Sequence, residues 1–124
     1  MNRDNRHVAL KVLSSYASKE IKAGRLRERD ILRKVANTAP LHHGFQHVVH
    51  LLDEFTFESF AGQHVCFATN ILSYSVPDLQ SHLDEDPRLP LKFILRITKH
   101  VLKGLEYLHD ECEVVHSGMW SLLP

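Results

Sequence analysis

The stretch "HVVHLLDEFTFESFAGQHVCFATNIL", residues 47–72, decides the fold of this chain. It contains two runs rich in β-branched and aromatic residues, His47–Phe57 and His64–Leu72, and both have the length of a strand. Between them, Glu58–Gln63 (ESFAGQ) has the polar character and the glycine, Gly62, of a hairpin connection. The sequence therefore predicts an antiparallel pair of strands at this place.

One strand and one helix are predicted ahead of this hairpin. His7–Leu13 (HVALKVL) is a bounded apolar run with β-branched valines, which is typical of a strand. From Lys19 to Ala36 the apolar residues recur at helical spacing with basic residues largely around the rest, and Gly24 weakens the early part of this helix. Asparagine, proline and glycine then predict a loop at Asn37–Phe45.

The part of the chain after the hairpin is predicted to be helical. Val76–Leu83 has the character of a short helix, and the turn-rich Asp84–Pro90 separates it from a long one. In Leu91–His109 apolar residues recur every three or four positions, and Pro90 stands just before the helix, where proline is tolerated. The predicted order is strand, helix, strand, strand, short helix and long helix, which is an α+β fold with an antiparallel component.

The composition is that of a globular chain without a charge bias. Of 124 residues, 44% are hydrophobic and 24% charged, and 15 basic residues balance 15 acidic ones, which fits one small domain or a fragment of a larger one. The basic helix is offset by its own acidic residues, and no apolar stretch approaches the roughly 18 residues of a membrane span. We therefore expect neither nucleic acid nor a membrane as partner. Two cysteines without CxxC spacing indicate a reducing, intracellular location, cytoplasmic or nuclear.

Lys11 is unusual because it lies in the middle of an apolar strand, where a buried ammonium needs a partner. One interpretation is an edge strand that carries Lys11 on its wet face. The other pairs Lys11 with Glu28, whose side chain lies on or beside the apolar face of the predicted helix. A strand lysine held by a helix glutamate is positioned to contact a phosphate group.

Six segments of the chain together form a pattern. They are VALK at 8–11, Glu28 with Ile31-Leu32, HVVHLLDEF at 47–55, HVCFATNIL at 64–72, LKGLEYLH at 102–109 and VVH at 114–116. In this order they resemble the eukaryotic-type serine/threonine protein kinases, with VALK similar to the lysine strand of that family. The strand that leads into the hinge and the His116-Ser117 pair are most similar to the SR-protein kinase branch.

The resemblance implies an ATP site. It implies that Lys11 contacts the α- and β-phosphates of ATP and that Glu28 fixes this lysine as an ion pair. Thr69 falls at the gatekeeper position behind the adenine. The other implied ATP contacts are the roof residue Ala9 and the backbone of the hinge residues Asn70 and Leu72.

The resemblance also divides the chain into parts of a kinase. Residues 1–72 correspond to a partial small lobe that lacks the glycine-rich loop and ends in the hinge, and residues 73–117 to the start of the large lobe. Residues 118–124 form a tail that is not homologous. We expect a partial kinase-like fold of about three antiparallel strands and one helix, followed by two helices of an incomplete large lobe.

The sequence departs from the family pattern at the catalytic residues. None of the catalytic residues is intact, since His116 is a remnant, Gly118 occupies the position of the catalytic aspartate, and no GxGxxG or Asp-Phe-Gly motif occurs. Phosphoryl transfer in the family depends on Mg²⁺ and its aspartate, and loss of a catalytic base costs roughly 10²–10⁴ in rate. We therefore predict a truncated chain with weak or absent ATP binding, no Mg²⁺ ligands and no catalysis.

The sequence leaves two alternatives of a different kind. The first is a pseudokinase-like binding or decoy module that occupies protein substrates or partners of the family without transferring phosphate. The second is a metal site in the histidine-rich loop and strand, but solvated or packed histidines are favoured over it and no metal is predicted. The histidines concerned are His42, His43, His47 and His50.

An incomplete large lobe would leave apolar surface uncovered. The helix Leu91–His109 would have little to cover its apolar face, and the lysine strand would lack a neighbour at its edge. We therefore expect this chain to self-associate through exposed apolar surface.

Overall fold

A small antiparallel sheet and the helices that follow its first and last strands form the structure, which is a computed structural model that describes residues 7–72, 75–83, 86 and 88–115. Within these residues the sheet has three strands in the order β1-β3-β2. The helices and strands are β1 (Val8–Val12), α1 (Ser15–Lys22), α2 (Glu28–Asn37), β2 (Leu51–Ser59), β3 (Gly62–Asn70), α3 (Val76–Ser81) and α4 (Leu91–Glu106). The predicted α+β class with an antiparallel sheet is confirmed.

The central hairpin joins β2 to β3. The two strands pair from Ser59 opposite Gly62 to Leu51 opposite Thr69, and Gly62 has a φ of 117°, a conformation that favours glycine. The predicted strand start at His47 is wrong, because Phe45–His47 forms a short 3-10 helix and β2 begins at Leu51. The chain is held close to α4 here, since a Cβ on Gly104 would lie 2.9 Å from the carbonyl oxygen of His47.

Two helices, not the single predicted one, connect β1 to the hairpin. α1 begins earlier than predicted because Ser14 caps it, with the Ser14 Oγ accepting a hydrogen bond from the Ala17 N–H at 3.1 Å. The predicted continuous helix over Lys19–Ala36 is interrupted between Lys22 and Glu28. Gly24 has a φ of 75° in this break, so it ends the first helix where the sequence suggested only a weakened one.

A first apolar cluster lies between the sheet and α1. Its buried residues are Leu13 and Ile21 together with Val65 and Phe67 of β3. Ser18 fastens the same helix to the sheet, because its buried hydroxyl accepts from the Val65 N–H at 2.8 Å and donates to the Ser14 carbonyl at 2.8 Å. The central strand is therefore held by apolar contact and by a fully satisfied polar group.

A second cluster lies where α2 meets the end of α4. It consists of Val35, Tyr107 and Cys112, all buried. α4 begins after Pro90 as predicted, but the predicted α-helical course to His109 is wrong. From Tyr107 to Glu111 the chain forms a π-helical turn, in which the Cys112 N–H donates to the Tyr107 carbonyl at 3.1 Å.

The remaining helix and the turn before α4 are described only in part. α3 covers most of the predicted short helix and is capped by Ser75, whose hydroxyl accepts from the Asp78 N–H. The turn predicted at Asp84–Pro90 is described only at Asp86 and from Arg88 onward. Among the described residues, no helix combines the length and apolar character that crossing a membrane requires.

Candidate functional site

Lys11 and Glu28 meet across the gap between β1 and α2. The Lys11 Nζ lies 2.5 Å from the Glu28 Oε1, and the two side chains are 60% and 37% exposed. An ammonium group has three donors and this carboxylate takes one of them, so the open side of Lys11 retains donors for another acceptor. An ion pair this exposed contributes only about 0–1 kcal/mol to the stability of the fold. The position that it gives to the Lys11 ammonium therefore matters more for binding than for folding.

α2 is fastened to both outer strands of the sheet. Besides the Lys11–Glu28 pair on β1, Arg33 forms a two-pronged ion pair with Glu54 on β2, in which the Arg33 Nε donates to the Glu54 Oε2 at 2.9 Å. The Glu54 carboxylate raises the pKa of Arg33 through this hydrogen bonding. The Arg33–Glu54 pair was not predicted, because sequence spacing does not show which acidic residue of a strand faces a distant helix.

The predicted adenine-side residues lie together at one end of the β1–β3 ladder. Ala9 pairs with Thr69, and Val8 pairs with Asn70. Ala9 and Lys11 are two residues apart on one strand, so their side chains share a face of the sheet. Thr69 and Asn70 are half-buried, whereas Leu72 lies beyond the end of β3 and is 64% exposed.

Asn70, at this end of β3, already has hydrogen-bond partners for its side chain and its backbone. The Asn70 Oδ1 accepts from the His50 N–H at 2.8 Å, and the Asn70 N–H donates to the His50 carbonyl at 3.3 Å. The Asn70 carbonyl accepts from the Thr69 hydroxyl at 3.3 Å. These contacts fix the position of Asn70 and leave its carbonyl oxygen with further acceptor capacity.

A separate apolar cleft lies between α2 and α4. It has a volume of 420 Å³, and its lining does not include Lys11 or Glu28. Apart from His47 its lining residues are aliphatic or glycine, and no lysine or arginine among them is available to the phosphates of a nucleotide. Residues that line the cleft include Leu32, Val35, Val48, Leu105, Leu108 and Val114.

The histidine cluster anticipated from the sequence divides into three parts in the structure. The His43 Nε2 lies 2.6 Å from the Glu106 Oε2, and the His42 ring stacks on the His43 ring. His47 stacks instead on His100 of α4 with ring centroids 4.3 Å apart, and His50 stacks on Phe45. The four predicted histidines therefore do not meet at one point. Glu106, which is far along the chain, joins His42 and His43.

The remaining residues of the predicted catalytic region, His116 and Gly118, lie outside the described residues, as does Ser117. The last described positions, Val114 and Val115, lead toward them, and the Val114 N–H donates to the Leu108 carbonyl at 2.7 Å. The division of the chain into residues 1–72, 73–117 and 118–124 stays a prediction.

Curated protein kinases resemble almost the whole of this chain, although no protein-family model matches it. The chain is 32% identical over 94% of its length to the serine/threonine-protein kinase spk-1 of Caenorhabditis elegans, of which the match covers 11%. It is 31% identical over 92% of its length to protein kinase dsk1 of Schizosaccharomyces pombe, covering 20% of that kinase. To human SRSF protein kinase 3 it is 30% identical over 92% of its length, again covering 20%.

These matches extend over 92–94% of the chain, so they include nearly all of the strands and helices described above. The chain spans only about a tenth to a fifth of the length of the curated relatives. The chain belongs to the SR-protein kinase branch of the serine/threonine protein kinases and corresponds to one segment of such a kinase.

Proposed function

We propose that this chain supplies the nucleotide-binding part of an SR-protein kinase, with Lys11 as the contact to the ATP phosphates. The observation that carries the proposal is the Lys11–Glu28 pair at 2.5 Å. Kinases of this family transfer the γ-phosphate of Mg²⁺-ATP, and an ammonium fixed by a carboxylate provides localised positive charge for the phosphate oxygens.

The residues around Lys11 fit a nucleotide. Because Lys11 is 60% exposed, a phosphate can reach it without opening the apolar core. The small side chain of Ala9 lies on the same face of β1, where a flat base needs room, and Thr69 stands opposite it on β3. We propose that the adenine lies at this end of the ladder, with the backbone of Asn70 and Leu72 as its hydrogen-bond partners.

Nucleotide binding by the chain tests this function directly. Titration of residues 1–124 with ATP in the presence of Mg²⁺, followed by calorimetry, is expected to show weak binding at a single site. Lys11→Met removes the charge while keeping the length of the side chain, and we expect it to lower the affinity about tenfold or more, equivalent to about 1.4 kcal/mol.

A matched control separates the site from general electrostatics. Lys22 also has one side-chain partner, Gln63, and lies on α1 away from the Lys11–Glu28 pair. Lys22→Met removes the same charge and is expected to leave ATP affinity unchanged. Equal affinities for wild type and Lys11→Met, or equal losses in both variants, would contradict the proposal.

We further propose that residues 1–124 do not transfer phosphate by themselves, because Gly118 occupies the position that the catalytic aspartate has in the family. Protein substrates are the class of partner that this family implies, and an intracellular location, cytoplasmic or nuclear, goes with them. Incubation with labelled ATP and an SR-protein substrate is expected to give no incorporation above the protein-free rate. Incorporation that Lys11→Met abolishes would contradict this part.

The non-catalytic decoy module stays a prediction that the same protein can test. If the chain retains an SR-protein substrate in a pull-down but neither binds ATP nor transfers phosphate, the decoy interpretation replaces the nucleotide-binding one. If ATP binds and Lys11→Met weakens it, the nucleotide-binding proposal holds whether or not the substrate is retained.

A further inference from the structure

A histidine pair and a helix-terminal carboxylate converge at the junction between the α2–β2 loop and α4. His42 and His43 lie in the loop, and Glu106 is the last residue of α4. One ligand atom from each lies within 4.8 Å of the other two. The His42 and His43 rings are stacked with their centroids 4.3 Å apart, so the two imidazoles lie side by side.

This donor set is one that zinc uses. Two imidazole nitrogens and one carboxylate oxygen, with a further position left to water, form an open tetrahedral site at metal–ligand distances near 2.0–2.2 Å. Ligands around such an ion lie about 3.3 Å apart, so the present separations need only modest side-chain rotation. His43 and Glu106 are 53% and 47% exposed, so both have room to rotate once the hydrogen bond between them opens, whereas His42 is only 17% exposed.

The charge pattern at the end of α4 favours a cation at the same place. The carboxyl end of a helix carries partial negative charge, and acidic side chains there add to it. Lys103 places one positive charge in the last turn of α4. Three acidic residues outnumber it, because Glu106 ends this helix and Asp110 and Glu111 lie in the π-helical turn that follows. The Glu111 Oε1 lies 4.0 Å from the His42 Nε2, which makes this carboxylate a candidate fourth ligand.

Hydrogen bonds at the site must be given up for an ion to bind. A His43 Nε2 that binds the ion can no longer share a proton with the Glu106 Oε2, which lies 2.6 Å away. The Gly44 N–H donates to the His42 Nδ1 at 3.0 Å. An imidazole that binds a metal through Nε2 carries its proton on Nδ1, and one that binds through Nδ1 has no lone pair left there. Either mode releases the Gly44 N–H, so this amide reports on occupancy of the site.

We propose that His42, His43 and Glu106 form a binding site for a divalent transition-metal ion of the zinc class, completed by Glu111 or water. The ion links the α2–β2 loop to the end of α4, two segments that already touch closely at Gly44 and Lys103. The site is separate from the Lys11–Glu28 pair and does not depend on the proposed nucleotide function.

Metal titration of the 124-residue chain tests the site. Calorimetry with Zn²⁺ is expected to show one ion bound per chain, and Co²⁺ is expected to give the visible absorption of a tetrahedral site. His43→Ala and Glu106→Gln are each expected to lower Zn²⁺ affinity at least tenfold. Zn²⁺ is also expected to raise the Tm of the wild-type chain but not that of His43→Ala, because an ion that binds only the folded state stabilises it.

His109→Ala is the matched control, because His109 is an exposed histidine in the adjoining π-helical turn and does not belong to the cluster. We expect wild-type Zn²⁺ affinity and a wild-type rise in Tm for this variant. Glu106→Gln keeps a hydrogen-bond acceptor for His43, so its loss of binding does not depend on a folding defect.

Nuclear magnetic resonance of the Gly44 amide gives an independent measurement on the wild-type chain. Its resonance is expected to shift on addition of one equivalent of Zn²⁺ and to return with a chelator. Three results would overturn the proposal: no binding by the wild type, equal binding by wild type and Glu106→Gln, or an unchanged Gly44 resonance at saturation.

Discussion

The two buried clusters of this chain are organised in different ways. The sheet cluster of Leu13, Ile21, Val65 and Phe67 is apolar and includes two residues of the central strand, which has hydrogen-bonded neighbours on both sides. The junction cluster of Val35, Tyr107 and Cys112 has no strand, and its largest side chain carries a hydroxyl.

The junction cluster depends on a few specific contacts, whereas the sheet cluster depends on the apolar area that it buries. The Tyr107 hydroxyl donates to the Val35 carbonyl at 2.6 Å and accepts from the Ala39 N–H at 3.3 Å, and burial raises the pKa of this phenol. Burial of apolar area tolerates small shifts, whereas a hydrogen-bonded side chain and a close backbone approach do not. We therefore expect the sheet to set the overall stability of the chain and the junction to respond to finer changes.

The largest expected effect is in the sheet cluster. Phe67 is completely buried in β3, so Phe67→Ala removes apolar contact and leaves a cavity. We expect the free energy of unfolding to fall by about 3–5 kcal/mol, measured by urea denaturation. Phe60→Ala, at the fully exposed tip of the hairpin, is the control and is expected to change it by less than about 0.5 kcal/mol. A loss below 1 kcal/mol for Phe67→Ala would mean that the sheet is not the main source of stability.

A methyl group added at the junction is expected to have the next largest effect. A Cβ on Gly44 would lie 2.1 Å from the Lys103 carbonyl oxygen and 2.8 Å from the Tyr107 Cβ, so Gly44→Ala forces the loop away from α4. We expect a loss of about 1–3 kcal/mol in the same measurement. Gly24→Ala provides a contrast, because nothing lies within 4 Å there and any cost arises from the backbone conformation alone. An unchanged unfolding midpoint for Gly44→Ala would show that the close approach is not needed.

Removal of one hydroxyl tests the polar part of the junction. Tyr107→Phe keeps the ring but leaves the Val35 carbonyl and the Ala39 N–H without this partner. We expect a loss of about 1–3 kcal/mol, since unsatisfied buried polar groups are costly. Tyr16→Phe, at a position 74% exposed, is expected to have no measurable effect. If both variants unfold at the wild-type midpoint, the junction is held by apolar contact alone.

The smallest expected effect is a dependence of stability on pH that arises at the junction. Burial lowers the pKa of His47, and the nearby charges of His100, Lys103 and His43 lower it further. The unfolded chain therefore binds this proton more readily than the folded chain. The stability that His47 contributes is present above the unfolded pKa of about 6.5 and is lost as the pH falls from there through the lowered pKa of the folded chain.

Urea denaturation at pH 7.5 and pH 5.5 measures this dependence. His47→Gln is expected to reduce the difference between the two midpoints, and His109→Gln, which changes an exposed histidine, is expected to leave it as in the wild type. A difference that is identical in all three proteins would assign the pH dependence to other groups.

The elements of this fold were predictable where the pattern was strong and local. Two strand-like runs and the turn residues between them identified the hairpin, and the regular apolar spacing identified α4. The interruption at Gly24 was not predictable, because a glycine within a helical pattern is compatible with either a weakened helix or its end. The 3-10 helix at Phe45–His47 replaced a predicted strand start, because packing against Gly104 outweighed the strand preference of its neighbours.

The contacts at the candidate sites also differ in how far the sequence could predict them. Lys11 and Glu28 are 17 positions apart, and the residues offered this pair only as one of two interpretations, which the resemblance to kinases then favoured. His43 and Glu106 are 63 positions apart, and no local pattern connects them. The contact between Arg33 and Glu54 was also not predictable from a local pattern, because it follows from how α2 lies across the sheet.

The π-helical turn at Tyr107–Glu111 has a consequence for changes in chain length. Such a turn takes one residue more than an α-helical turn, so it behaves as a single-residue insertion carried within the helix. Deleting one residue here would restore the α-helical phase and rotate the following segment by about 100°. Val114 would then leave the cleft that it lines. Glu113 would also leave its present backbone conformation, in which its φ is 54°. We therefore expect this segment to tolerate a substitution better than the deletion of one residue.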